Sequence, residues 1–563
     1  MKLLLKNAQI VNVFTDTLEN ASVLIENGKI IGVGDYDDTD ADTVEDVAGK
    51  YICPGLIDGH IHIESTTLVP VELANMCMPH GTTAVMADPH EIANVCGTDG
   101  IRFMMEASEG IPLHVYFTMP SCVPATPHDE AGAVLGADDL KPFYESKRVV
   151  GLGEMMNYPG VLAGDTSVLR KIEDALACGK VVDGHAPCLL GKELDRYIAA
   201  GVQSDHECSY AHEGIEKIRK GQWVMIRQGT AARDLIGLLP LFEHPYDRRC
   251  VLVTDDRHPA DIANEGHIDN IIRLAVQNGV NVCKAIRMAT VQTAQCFGLA
   301  HVGAIAPAYR ADILVLNDLE TMDVCDVYSA GVKVVSNKKM LAFDAPTVSR
   351  ELTETVMHSF RLDPVSPDDF RIQPSGEKCR VIQVLPGSLV TEQRIETIRW
   401  DHENGVDIER DILKLAVIER HNNTGHKGVG FISGIGLKMG AIASSVSHDS
   451  HNIIVIGTND ADMAIAANHI RKTGGLVAVA DGAVVADMKL PIAGLMTDRS
   501  GEEIAADNEA VRKAVYGFGV PENIEPFMNM AFVSLPVIPS LKMSTTGLID
   551  VNRQERVSLA CDE

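Results

Sequence analysis

The chain has 563 residues, 46% of them hydrophobic, which is enough for a large folded core and, by length, two to four domains. Its 78 Asp and Glu outnumber 49 Lys and Arg, giving a formal charge of −29 that no basic cluster offsets. Such a surface repels phosphate backbones and anionic membranes, which argues against nucleic-acid and membrane partners.

The opening run Met1–Leu5 is too short for a signal-peptide core, and Lys6 and Asn7 interrupt it. No uninterrupted apolar run approaches the length of a membrane span. The 13 cysteines are scattered singly, with no C-x-x-C, as expected of reduced thiols in a cytoplasmic protein. That spacing also excludes zinc-finger sites and the H-x-E…P-C-x-x-C deaminase type.

In chain order, residues 1–50 predict short strands and turns, with Asn27-Gly28 as a hairpin signal between "ASVLIE" and "KIIGVG". Residues from about 301 to 345 have the same texture, as in "ADILVLN" and "VYSAGVKVVSNKKML". One small β-sandwich domain assembled from both flanks, 1–54 and 301–345, accounts for the pair. Between them a unit repeats, a short apolar run ending in polar residues and followed by a helical pattern. The runs are "YICPGLIDGHIH", "TTAVMADPHE", "LHVYFTMPS", "RVVGLGEMMN", "KVVDGHAP", "GVQSDHE", "QWVMIRQG" and "CVLVTDDRHP". Intervening stretches such as "TSVLRKIEDALACG" have helical spacing and end in glycine.

Strand–helix alternation fits an open doubly wound sheet as well. The count of repeats and the polar residues at nearly every strand end favour an α/β fold with a (β/α)₈ TIM-like barrel over 55–300, its site at the C-terminal strand ends. Residues 346–563 predict a C-terminal α/β domain, with strand, helix and strand in "NIIVIGTNDADMAIAANHIRKTGGLVAVADG". The glycine-rich "GHKGVGFISGIGLKMG" lacks the spacings of phosphate-binding loops, so its glycines are expected at close contacts or tight turns.

In "GLIDGHIHIES", His60 and His62 stand two apart after an apolar run, and in a strand they project from one face. Glu154, His185, His206 and Asp255 fall at the ends of strands 4, 5, 6 and 8. A lone strand-end histidine is more often a loop or capping residue. Five strands that each deliver an imidazole or carboxylate to one rim predict a metal centre. The absence of cysteine ligands argues against a closed structural zinc site.

These motifs resemble the amidohydrolase superfamily, through "PGLIDGH" with its H-x-H, the later single histidines, the strand-8 aspartate and the returning "ADILVLN". Within it the chain is similar to bacterial-type adenine deaminases. The words that carry this are "DPHEIANVCG", "GLGEMMNYPGV", "DGHAP", "SDHE", "TDDRHP" and "SSVSHDSHNI", spread over essentially the whole chain.

The resemblance implies hydrolysis of adenine to hypoxanthine and ammonia by hydroxide at a binuclear centre, in purine salvage. It implies two divalent ions per chain, manganese or iron ahead of zinc, in a homodimer or higher homo-oligomer. Many binuclear relatives carry a carbamylated lysine at the end of strand 4. Here Glu154 stands there and is the candidate bridging ligand. Asp255 falls where relatives place a ligand that also accepts the proton of the attacking water. Glu207 and His90 are candidate proton donors. Glu91, Ser121, Arg227, Gln228 and His451 are candidate substrate contacts, the alternatives being rim hydrogen bonding and, for Glu207, a helix N-terminal carboxylate. The segment with His448, Asp449 and His451 forms either a lid or substrate contact, or a turn satisfied by its own side chains. Two other functions remain: a cyclic-amide hydrolase of the dihydropyrimidinase or dihydroorotase type, and a metal-free barrel scaffold.

Overall fold

Eight short parallel strands run through the first half of the chain: β1 (Leu56–Ile61), β2 (Thr82–Ala87), β3 (His114–Met119), β4 (Val149–Met155), β5 (Val181–Gly184), β6 (Ser204–Asp205), β7 (Trp223–Arg227) and β8 (Cys250–Val253). The three-dimensional structure is a computed structural model that describes residues 2–374, 376–386, 388–400 and 405–561. Strands β1 to β5 pair in chain order as one parallel arc, and β6 to β8 as a second. Backbone hydrogen bonds join the arcs, from Gln203 N to Val182 O (3.0 Å) and from Asp255 N to His60 O (2.9 Å). This is a parallel sheet of the TIM-barrel type. Alternate residues, Ala84 and Met86, Trp223 and Met225, Val251 and Val253, enter one buried apolar cluster, as the two-residue period of a strand dictates.

The helices between strands follow the sequence pattern. Thr166–Ala177 and Gly191–Ala199 each give way to a glycine at positive φ, Gly179 (69°) and Gly201 (116°), a conformation that ends a helix with little strain. Flanking strands from Lys2–Asn12 to Tyr51–Pro54 join those from Ile313–Leu316 to Lys339–Met340 in one nine-stranded sheet. Its hairpin turns at Asn27 (φ 50°) and Gly28 (φ 77°), both positive, as the tight turn requires.

The chain forms two compact units, and two segments that follow barrel strands leave the first for the second. The first unit contains Met1–Pro89, Met104–Ser121 and Gly136–Thr347; the second contains His90–Phe103, Cys122–Leu135 and Val348–Glu563. The second unit is built on an eight-stranded sheet. Within it Ile453–Gly457, the helix Asp460–Thr473 and Leu476–Ala480 follow as strand, helix and strand. Val455, Ala466, Ile470 and Val477 share one core cluster there. No helix among the described residues is long and apolar enough to cross a membrane.

In "GHKGVGFISG", Gly425 sits in open space at positive φ (74°), while Gly428, Gly430 and Gly434 serve close packing. A Cβ on Gly428 would lie 1.9 Å from Ser544 O, and one on Gly430 2.6 Å from Met543 Cε. Gly428→Ala is therefore expected to lower stability by about 1–3 kcal/mol, since backbone must move. Gly517, beside which a Cβ meets nothing within 4 Å, serves as the control. Denaturant unfolding of both variants checks this, with Gly517→Ala within about 0.5 kcal/mol of the parent.

Candidate metal centre

Imidazole and carboxylate atoms converge at the C-terminal ends of the first unit's parallel strands. His60 Nε2 and His62 Nε2 stand 3.2 Å apart, and Asp255 Oδ1 lies 3.7 Å and 3.1 Å from them. Around one ion with bonds of roughly 2.0–2.2 Å, ligand atoms sit roughly 2.9–3.6 Å apart, so this trio has the spacing of a coordination shell. Glu154 faces two ways. Its Oε1 lies 3.3 Å from His62 Nε2, while its Oε2 lies 2.6 Å from His185 Nδ1 and 3.2 Å from His206 Nε2. The donors thus fall into two groups with one carboxylate between them, and all five of these partners are buried or nearly so.

Outer hydrogen bonds aim the rings. His60 Nδ1 meets Asp183 Oδ2 at 2.9 Å and His62 Nδ1 meets the Asp88 carbonyl at 3.0 Å, so each can donate there and turn Nε2 inward. Asp183 is itself held by Gly184 N (2.8 Å) and Ser204 Oγ (2.6 Å). Glu154 N donates to Asp88 Oδ2 (3.1 Å), an approach that the missing side chain of Gly153 permits, since a Cβ there would lie 2.0 Å from that oxygen. A fully buried Lys217 donates to Asp205 Oδ1 (3.0 Å) and Ala186 O (2.8 Å). Asp205 Oδ2 accepts from Ala186 N (2.9 Å), which fastens the strand end carrying His185 to the one carrying His206. Asp255 adopts a left-handed backbone (φ 60°), a strained choice for a non-glycine residue that turns the chain at the rim.

The electrostatics show a demand for positive charge. Burial alone would raise the Glu154 carboxyl, but the His185 charge and hydrogen bonds from His185, His206 and His62 hold it well below the usual range. Burial likewise opposes ionisation of Asp255, and His62 and Arg227 outweigh it. Conversely, burial would lower His206, yet Glu154 and its neighbouring carboxylates push it up to about 10, and Asp255 with Glu154 raises His62 well above its ordinary value. Protons on the imidazoles here do the electrostatic work of metal cations. A set of imidazoles and carboxylates without thiolates suits zinc, iron or manganese, so the residues present fit the implied group.

Residues 51–335 match the amidohydrolase family model, and residues 388–555 match the adenine deaminase C-terminal domain. The chain is 46% identical over 554 residues to adenine deaminase 2 of Carboxydothermus hydrogenoformans, covering 98% of this chain and 95% of that protein. It is 45% identical over 559 residues to the adenine deaminase of Desulfatibacillum aliphaticivorans (99% and 97%), and 42% over 558 residues to that of Geobacillus kaustophilus (98% and 96%). The chain belongs to the adenine deaminase family of the amidohydrolases.

The other candidate residues are placed unequally. Arg227 Nη1 donates to Glu207 Oε1 and to Asp255 Oδ2 (2.9 Å), and its Nε to Asp234 Oδ2 (3.1 Å), so its donors serve carboxylates. Glu207, which burial would raise, is instead pulled down to about 2 by Arg227, His185 and His206. Ser121 donates its hydroxyl to the Glu154 carbonyl. Gln228 is buried, with no partner for Oε1 among the described residues.

His90, Glu91 and His451 belong to the second unit. His90 opens the helix His90–Ala107. Glu91 Oε2 lies 2.7 Å from His451 Nε2 and its Oε1 3.0 Å from His448 Nδ1. Ser447 N donates to His451 Nδ1 (3.2 Å), which leaves the His451 proton on Nε2, facing Glu91.

Sequence reasoning missed Asp88, Asp183, Asp205, Lys217 and Asp234. Part of the signal was present: "DGH" occurs at 58–60 and 183–185, and Asp205 precedes His206. Asp183 and Asp205 sit two residues and one residue before a candidate ligand; Asp88 and Asp234 carry no such mark. Lys217 lies on a helix, where nothing local distinguishes it.

Asp183→Asn is expected to weaken metal binding about 10–100-fold with the fold retained, as competition with a chelator would measure. The pH dependence has a fixed sign. The His206 pKa is raised from about 6.5 to about 10, so in metal-free protein its contribution to stability is complete below pH 6.5 and lost as pH rises through 10. Metal loading at pH 7.5 must then expel protons from the imidazoles, and calorimetry in buffers of different ionisation enthalpy is expected to detect proton release.

Proposed function

We propose that this chain hydrolyses adenine at C6, giving hypoxanthine and ammonia, with two divalent ions held at the strand ends. The observation that carries the metal assignment is the two-sided Glu154, with Oε1 toward His62 and Oε2 toward His185 and His206. His60, His62 and Asp255 would hold one ion, His185 and His206 the other, and Glu154 would reach both without carbamylation. When bound, the pair supplies Lewis acidity and lowers the pKa of water from 15.7 to roughly 7.

Asp255 takes the proton released as water adds to C6. Its Oδ2 is held at 2.9 Å by Arg227 Nη1, which fixes the carboxylate while it changes charge. Asp255 returns that proton to the amine as the C6–N bond breaks. Glu207 faces the same guanidinium and is a carboxylate at rest, so it can protonate N1 only after receiving the water's other proton. With a pKa near 2 it then releases that proton readily. Arg227 therefore acts through these two carboxylates, and Ser121 supports Glu154, rather than either reading the purine. Gln228, with its unpartnered Oε1, is the acceptor suited to a ring N–H of the base.

His90 as an alternative proton donor, and Glu91 with His451 as substrate contacts, rest on the resemblance of "DPHE" and "SVSHDSHNI". The same resemblance supports manganese or iron ahead of zinc, a homodimer or larger assembly, and a place in cytoplasmic purine salvage.

An absorbance assay with adenine after loading with manganese or iron tests the activity; absence of ammonia release would overturn it. Glu154→Gln is expected to retain one metal equivalent and lose most activity. Two equivalents and full turnover in that variant would remove its bridging role. Glu207→Gln is expected to lower kcat about 10²–10⁴-fold with KM little changed.

A further inference from the structure

The second unit contains a cavity of about 140 Å³ whose walls include Cys96, Gly97, Asp99, Ser359, Arg361 and His421. The chemistry of these walls is unusual in two respects. The first is positive charge without carboxylate partners. Among the described residues the Arg361 guanidinium forms no salt bridge. Behind Ser359 lies Arg420, fully buried, whose guanidinium bonds, among the described residues, to neutral oxygens: His451 O, Ala493 O (2.9 Å) and Ser359 Oγ (3.4 Å). The one acidic wall residue, Asp99, is engaged by Arg102 at 2.7 Å. The helix His90–Ala107 also breaks at Gly97 (φ 60°, ψ −142°), so the wall at 97–99 is the start of a new helical run, where the dipole is positive.

The second is a lone pair without a donor. His421 is buried, and its Nε2 lies 2.7 Å from Ser450 O, so Nε2 must carry the proton and donate. Its Nδ1 is then an acceptor, and it has no partner among the described residues. Burial and the neighbouring Arg420 charge keep the ring neutral, well below its ordinary pKa. Cys96, pushed up to about 12 by burial, adds no negative charge.

A ligand matching these walls brings anionic oxygens for Arg361 and for the Ser359 hydroxyl, whose oxygen already accepts from Arg420. It also brings one O–H for His421 Nδ1. At neutral pH inorganic phosphate has both, because one of its oxygens keeps a proton, whereas sulfate has only the anionic oxygens. The volume equals that of roughly five waters at about 30 Å³ each, room for a tetrahedral oxyanion but below the roughly 300 Å³ of small-molecule pockets.

We propose that this cavity is a binding site for a small protonated oxyanion, inorganic hydrogen phosphate, selected against sulfate by the acceptor nitrogen of His421. The anion rests on residues that also hold the histidine segment. Arg420 and His421 bind the carbonyls of His451 and Ser450, so occupancy stiffens the stretch that presents His448 and His451 to Glu91.

Calorimetric titration of the full-length, metal-loaded protein with inorganic phosphate, against sulfate at equal ionic strength, tests this. Wild type is expected to bind phosphate at least about tenfold more tightly than sulfate, because a site built around a ligand O–H rejects an analogue that lacks it. Arg361→Ala, at an exposed residue, is expected to lose at least about tenfold in phosphate affinity and to keep its deaminase rate in phosphate-free buffer. Ser359→Ala is a second variant, expected to weaken phosphate binding several-fold. Subtracting the Arg361→Ala isotherm separates this cavity from phosphate bound at the metal centre. Equal phosphate affinity in wild type and both variants would overturn the site, and equal affinity for sulfate would overturn the role of His421.

Discussion

The first unit's chemistry depends on the charge balance around one buried carboxylate. Glu154 sits on the rim with His62 on one side and His185 and His206 on the other, while Asp255 and Glu207 add two more acids nearby. An unpaired buried carboxylate costs several kcal/mol, so three in one rim are tolerable only with cations between them. Arg227 supplies one permanent charge, shared between Glu207 and Asp255. The rest must come from ions that exchange, either protons on imidazoles or metals. That competition ties metal affinity to pH and explains why the imidazole pKa values rise here, although burial opposes it.

Aspartates hydrogen-bonded behind the candidate ligands make the balance specific. Asp183 orients His60, Asp88 supports both His62 and Glu154, and Asp205 with Lys217 joins the ends of β5 and β6. Asp205 ties neighbouring strand ends, whereas Asp183 on β5 reaches His60 on β1 and Asp88 beyond β2 serves both β1 and β4, so the outer contacts cross the rim. Glycines between aspartate and histidine belong to the same arrangement. At Gly184 a Cβ would lie 2.2 Å from Ser204 O, so only glycine lets β6 approach while Asp183 and His185 hold their positions.

What the sequence revealed and what it hid follow from the range of the forces involved. The eight strands, the Asn27-Gly28 turn and the convergence of six strand-end imidazoles and carboxylates were legible, because a two-residue strand period, a turn needing positive φ and an H-x-H pair are local patterns. The roles of Arg227 and Ser121 were not. Both are polar residues at strand ends, and only tertiary geometry shows that one serves three carboxylates and the other a backbone carbonyl. Lys217 was invisible for the same reason: its partner Asp205 lies on a preceding strand, and a lysine on an amphipathic helix ordinarily faces water. Glu207 was legible as a carboxylate beside a histidine, but not as one held ionised.

The membership of residues 90–103 and 122–135 in the second unit constrains what that unit can be. These segments leave the barrel after β2 and β3, yet their contacts lie with the C-terminal sheet. Glu130 accepts from Asn452 Nδ2 through its backbone (2.8 Å) and from His426 Nδ1 through its side chain (2.7 Å). Glu91 is clamped between His448 and His451. Removing 348–563 would leave Glu91 buried without its imidazoles or returned to solvent, and would free the loop at 122–135. The C-terminal sequence therefore completes, within its own unit, the environment of a glutamate that the chain places three residues beyond Asp88.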